Sequence, residues 1–194
     1  MIKVASKIDS REVDLCISEV AKGNMNSLKQ LYEQFKVPVY LLALVILKDR
    51  ALAEDILQET FIGLRANAHT YSLGTNAKAW ILSITRNLSK NCLRKRHYET
   101  SQSFDEDTEV CDKKYTVETD MLDGIVTSDA LNILDETQRE IVVFHVFTGL
   151  KHTEISKLLC IPYGTVLWKY SVAMKKLRAF YNAEFSGEGV VDEK

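Results

Sequence analysis

Two clusters of side chains in this 194-residue chain carry usable binding chemistry. The first is acidic. Glu54, Asp55, Gln58 and Glu59 recur at spacings that gather side chains on one sector of a helix, with Phe61 close by. Such a sector suits a basic protein surface: the charges set on-rate and register, and adjacent apolar contact sets residence time. The second cluster is Arg86, Asn87, Lys90, Asn91, Arg94, Lys95 and Arg96. Asn87, Lys90, Asn91 and Arg94 share a side of a helix, where Lys and Arg suit phosphates and Asn suits base edges. Taken singly, either cluster reads as a solvated helix face. Nothing points to catalysis, because there is no Gly-rich phosphate loop and no convincing nucleophile–base pair. Cys16, Cys92, Cys111 and Cys160 form no CxxC pair, and His69, His97, His145 and His152 make no ligand spacing with them. The expectation is a non-enzyme without metal or cofactor, its thiols reduced in a cytoplasmic setting.

Charge is segregated along the chain. The whole carries a net −2, which by itself argues against nucleic acid. Residues 24–97, however, hold eleven Lys/Arg against five Asp/Glu, and residues 130–181 hold seven against four. Between them, residues 98–129 hold two against ten. Two basic modules separated by an acidic stretch remove the objection.

The elements that must position these residues read as helical almost throughout, since no window shows sustained period-two alternation. Asp9 or Ser10 can cap a helix over residues 11–22, with Val13, Ile17 and Val20 on one face and Gly23 ending it. A second helix is expected over 27–36. A third opens at Pro38, whose missing N–H is harmless in a first turn, and runs to Leu47. Its apolar run is too short to span a bilayer, and the N-terminus lacks the apolar core of a secretory signal, so no membrane insertion is expected. Asp49 caps a helix over 50–67 that carries the acidic sector. Residues 69–75 form a loop, and a long helix over 76–97 carries the Asn/Arg/Lys cluster. Residues 98–127 are polar and weakly periodic, a flexible linker by composition. Three helices follow over about 129–147, 152–159 and 163–182. The short Leu159-Cys160-Ile161-Pro162 connection joins the last two into a helix-turn-helix. The fold class expected is all-α, with two small helical domains at 1–97 and 129–182. An acidic linker at 98–128 joins them, and an acidic tail at 183–194 follows.

At this point the chain resembles a bacterial extracytoplasmic-function (group 4) RNA polymerase sigma factor of the sigma-70 family. The family's docking motif, roughly D-x-A-E-D-x-x-Q-E-T-F, is met by residues 50–61. Its A-W and R-N pairs are met by Ala79-Trp80 and Arg86-Asn87, and its E-I-A-x-x-L-x-I-P-x-G-T-V by Glu154-Ile155-Ser156 through Ile161-Pro162-Tyr163-Gly164-Thr165-Val166. The two matches cover about two thirds of the chain and come in the family's order.

The resemblance implies roles residue by residue. Glu54, Asp55, Gln58, Glu59 and Phe61 would bind core RNA polymerase. Tyr71, Asn76, Trp80, Arg86, Asn87, Lys90, Asn91, Arg94, Lys95 and Arg96 would serve the −10 element, the 69–76 loop receiving a base taken out of the stack. Tyr163, Gly164, Thr165, Trp168, Lys169, Lys175 and Lys176 would serve the −35 element. The linker would bridge elements roughly 70 Å apart, two helical turns of duplex, which some thirty extended residues can span at about 100 Å. Partners implied are the core polymerase, promoter DNA and an anti-sigma factor. The departures lie in the second module. Such recognition helices usually carry several basic residues after T-V, and here only Lys169 precedes Lys175-Lys176; Cys160 stands where the turn often has Gly. A sigma-like decoy that sequesters an anti-sigma protein is the alternative. A simple DNA-binding regulator would leave the docking motif unexplained.

Overall fold

The computed structural model describes residues 10–102 and 128–186, and among these the chain is all-α. The starting residues 1–9, nearly all of the expected linker (103–127, with Cys111) and the tail from 187 lie outside the described residues.

The first cluster has four helices: α1 (Ser10–Ala21), α2 (Met25–Leu47), α3 (Arg50–Asn67) and α4 (Ala77–Gln102). In α1, Val13, Cys16, Ile17 and Val20 are buried, the expected face with one thiol added. Gly23 ends it with φ +92, in the left-handed region that only glycine enters freely. Asn24 then caps α2 by accepting from the Asn26 and Ser27 amides at 3.0 and 3.4 Å.

Helix α2 corrects the expected pair of helices. Met25–Leu47 is one helix with Pro38 inside it and buried. An interior proline costs about 3 kcal/mol. Against that, Leu31, Phe35, Val39 and Leu42 form one stripe that runs straight through Pro38, all four fully buried. Each contributes about 1.5–3 kcal/mol, so packing outweighs the breaker. This is the one helix among the described residues long and apolar enough to cross a membrane, and most of that apolar stretch is buried inside the fold.

Lys48, left-handed at φ 55, ends α2, its N–H donating to the Leu44 carbonyl at 2.8 Å. Asp49 starts α3 as expected, accepting from the Leu52 amide at 3.2 Å. A 3-10 turn (Ala68–Thr70) and a short loop lead to α4, which runs five residues past the expected end.

The second cluster holds α5 (Ser128–Asn132), α6 (Glu136–Val142), α7 (His152–Leu159) and α8 (Tyr163–Ser186). The single helix expected over 129–147 is broken at residues 133–135. Asp135 accepts from the Gln138 amide at 2.7 Å, and Gln138 returns the bond to the Asp135 amide at 3.1 Å. That reciprocal capping box starts a new helix where apolar periodicity had suggested continuity. Beyond α6 the backbone widens into a π-type turn over Val143–Phe147, which ends at Gly149 with φ +69. His145 stacks on His152 at 4.2 Å, and both rings meet Tyr170 edge-on, tying this turn to α7 and α8. Burial, and then the neighbouring His145, hold the His152 imidazole below its usual range.

The two clusters pack on each other. α2 meets α6 and the π-type turn, and α4 meets α7. The buried Lys78 of α4 donates to the Thr148 carbonyl at 3.3 Å.

Candidate functional site

Helix α3 presents its acidic sector as anticipated. Ala53, Ile56, Leu57, Thr60, Phe61 and Leu64 face inward, which leaves Asp55, Gln58 and Glu59 exposed and Glu54 half-buried at the margin. Phe61 lies inside, its ring edge-on to Tyr32 with centroids 5.0 Å apart. It supports the docking face from beneath. The surface apolar residue is instead Ile62, 68% exposed. It completes the stripe 55, 58, 59, 62, because those spacings share one face. Sequence reasoning missed it. The signal available was a branched apolar residue placed opposite the buried set.

The 71–76 loop is anchored at both ends. The Tyr71 hydroxyl donates to Asp14 of α1, and its ring rests 5.1 Å from that of Trp80. Burial, and secondarily the Asp14 bond, push the Tyr71 phenol up to about 12. A phenol with a raised folded pKa favours the folded state at lower pH, and that contribution is lost as pH climbs from the ordinary value near 10 to about 12. We expect Asp14→Ala to lower the Tyr71 midpoint, followed by NMR of ring-labelled tyrosine. It should stay above the ordinary value because burial, the larger cause, remains. An unmoved midpoint would remove Asp14 as the anchor. Asn76 is the cap of α4: its side-chain oxygen accepts from the Ala79 amide at 3.0 Å. Between these anchors Leu73 projects into solvent.

Trp80 is half-buried against the core, with its own face of α4 held by Ile81, Leu82 and the buried Thr85 and Ser89. Thr85 receives the Thr60 hydroxyl of α3 at 3.3 Å. Further along, Asn87, Asn91, Arg94, Lys95 and Arg96 are exposed. Arg94 donates to Asn91 at 2.9 Å, and Arg96 pairs with Asp49 at 3.3 Å. Arg86 and Lys90 do not face open solvent. Arg86 pairs with Glu140 of α6 at 2.8 Å, and Lys90 reaches Glu136 at 3.2 Å and Glu140 at 3.5 Å.

In the second cluster, α7 and α8 form the helix-turn-helix. Cys160 takes the left-handed position of the turn, φ 56, which costs a non-glycine residue about 1–2 kcal/mol; the position demands what Gly supplies freely. The Ser156 hydroxyl donates to the Ile161 carbonyl at 2.6 Å and closes the turn. At the start of α8, Tyr163 and Gly164 are exposed and Thr165 is half-buried. Trp168 is 62% exposed, and Leu167 is exposed beside it. Lys175 is exposed. Lys169 and Lys176 are turned toward their own module: Lys169 pairs with Asp135 at 3.0 Å, and Lys176 donates to the Ile133 carbonyl and to Gln138 at 3.3 and 3.2 Å. The outer face of α8 is therefore more aromatic and less basic than the sequence alone suggested. Lys169, Lys175 and Lys176 do not form one cluster.

Comparison with known proteins gives these arrangements a context. Residues 31–98 match the family model described as Sigma-70 region 2, and residues 127–177 the one described as Sigma-70, region 4. The ECF RNA polymerase sigma factor SigM of Bacillus subtilis is 28% identical over 176 residues, covering 86% of this chain and 99% of its own. The same organism's ECF RNA polymerase sigma factor SigW is 25% identical over 177 residues, covering 84% and 92%. Among solved structures, CnrH in complex with the cytosolic domain of CnrY shares the fold with a TM-score of 0.62 at 19% identity, over 90% of this chain and 99% of that one. The sigma factor RpoE of Bartonella quintana, crystallised with the anti-sigma factor NepR, does so with a TM-score of 0.60 at 24% identity, over 79% and 96%.

Proposed function

Since the chain belongs to the extracytoplasmic-function (group 4) branch of the sigma-70 family, we propose that it is a promoter-specificity subunit that reads two separate promoter elements on core RNA polymerase. Family membership carries polymerase binding and promoter recognition in general terms. Sigma factors are not enzymes, and the chemistry of RNA synthesis belongs to the polymerase. In finer detail, the Asp55, Gln58, Glu59 and Ile62 face docks the polymerase. α4 and the loop before it engage and open the −10 element, and the start of α8 approaches the −35 element.

One observation supports this reading above the others. The two family matches fall in order on the two helical clusters, and the docking stripe is exposed on the first of them. Phosphate contact, base contact and an aromatic-backed loop all lie on or beside α4, which is what strand opening at a fixed place needs. A cytoplasmic location follows from the polymerase partner. By analogy with the RpoE–NepR pair, an anti-sigma protein is the proposed regulator.

The aromatic, lysine-poor outer face of α8 favours one second reading, a decoy that occupies an anti-sigma protein without reading promoters. In-vitro transcription with purified core polymerase and a fragmented genomic template separates the two. Discrete, chain-dependent start sites are expected. Core binding without any start site would leave the decoy.

A further inference from the structure

Helix α6 puts two carboxylates against the helix assigned above to the −10 element. Glu140 is only 2% exposed, yet it holds the Arg86 guanidinium at 2.8 Å and lies 3.5 Å from the Lys90 ammonium. Glu136, one turn earlier, takes Lys90 at 3.2 Å. A buried carboxylate is tolerated only when paired and hydrogen-bonded, and here the pairing groups come from the other cluster. Lys78 adds a third tie, from α4 to the Thr148 carbonyl beyond α6. The spacing of Glu136 and Glu140 matches that of Arg86 and Lys90, so two turns of acid lie along two turns of base.

We infer that the Glu136/Glu140 face of α6 is an internal competitor of DNA: it occupies Arg86 and Lys90 and holds the free chain in a closed, promoter-incompetent state. This inference rests on the −10 assignment of α4, and three further points carry it. Carboxylate oxygens at these distances satisfy the same charge-assisted bonds that phosphate oxygens would. The closed contact is also incompatible with engaging two promoter elements together. Those elements are roughly 70 Å apart, whereas Arg86 and Glu140 touch. Finally, the contact is imperfect in a way that suits opening. Gln34 on α2 and Arg139 on α6, the two helices that meet, each bury a side-chain polar atom without a partner. A permanent domain interface would be expected to satisfy them. Core polymerase, by taking the α3 face and holding the modules apart, would shift the equilibrium to the open form.

The test uses the full chain. Glu136→Gln with Glu140→Gln keeps the side-chain shapes and removes both charges. Its radius of gyration by small-angle scattering should exceed that of the unmodified chain. It should bind a fluorescein-labelled single-stranded DNA oligonucleotide at least about tenfold tighter, as when a competent state held below a tenth becomes dominant. Glu12→Gln with Glu33→Gln makes the same charge change elsewhere and should do neither. Because Glu140→Gln can also unfold the module, a second measurement uses the unmodified chain. Carbodiimide should couple Lys90 to Glu136 as an amide in the free protein, identified by mass spectrometry, and core polymerase should suppress that product. The scattering and free-chain coupling involve neither polymerase nor DNA, so they report on the latch even if the −10 assignment fails. An equally compact double variant with no gain over the charge control would overturn the inference. So would a free chain that yields no Lys90–Glu136 product.

Discussion

Reversing the charge at Asp55 and Glu59 together is expected to abolish holoenzyme formation while leaving the chain folded. Both side chains are exposed on α3, and neither has an ion-pair or hydrogen-bond partner among those described. Surface changes of this kind alter stability by about 0.5 kcal/mol or less. Against a basic partner surface, two like charges in place of two opposite ones cost several kcal/mol, enough to remove a complex from any practical concentration range. Gel filtration with core polymerase reads the loss, and circular dichroism melting confirms that the fold is kept. Ile62→Ala should weaken the same complex mainly through faster dissociation, since it removes apolar surface rather than charge. Unimpaired core binding by Asp55→Arg/Glu59→Arg would discard the docking face.

Replacing Arg94, Lys95 and Arg96 with Ala is expected to lower the salt slope of promoter binding by about one to three units, close to one for each phosphate no longer neutralised. Affinity should fall to a similar extent across promoter sequences, because phosphate contacts carry little base information. These residues lie beyond the latch, on the exposed end of α4. The Arg96–Asp49 pair is surface-exposed and worth about 1 kcal/mol at most, so it yields readily to a phosphate. Binding of holoenzyme to promoter fragments across a salt series measures the slope. An unchanged slope would make the three side chains a solvated face.

Recognition of the family was legible because its signals are local. Glu54 to Phe61, Ala79-Trp80, Arg86-Asn87 and the Ile161 to Val166 turn each occupy a few adjacent positions. Helix boundaries set by caps were legible for the same reason: Asp49, Gly23 and the turn at Cys160 act on amides or carbonyls within four residues of themselves. Where two local signals conflicted, the outcome depended on what lay opposite. Pro38 argued for a break and the Leu31, Phe35, Val39, Leu42 stripe argued against it. The stripe prevailed because helices α1, α3 and α4 surround it. At residues 133–135 the apolar periodicity argued for continuity, and a capping box of two side chains won instead.

Side-chain direction was legible only in part. Lys169 and Lys176 follow the buried Val166 and Ala173 by three residues each, so both lean to the core side of α8 and find Asp135, Ile133 and Gln138 there. A count of lysines on one helix carries no such information until the inward face is known.

The sequence by itself determined the family, the all-helical class, the order of the two modules and the acidic docking sector, because all of these rest on residue type and spacing along one segment. Only the tertiary structure decided that Phe61 lies beneath that sector while Ile62 lies on it. It alone showed that Asp14 anchors Tyr71 across fifty-seven residues, and that Arg86 and Lys90 are held by Glu140 and Glu136. Such pairings join positions about fifty residues apart. They follow from the packing of whole helices, which fixes a geometry that no local stretch of chain encodes.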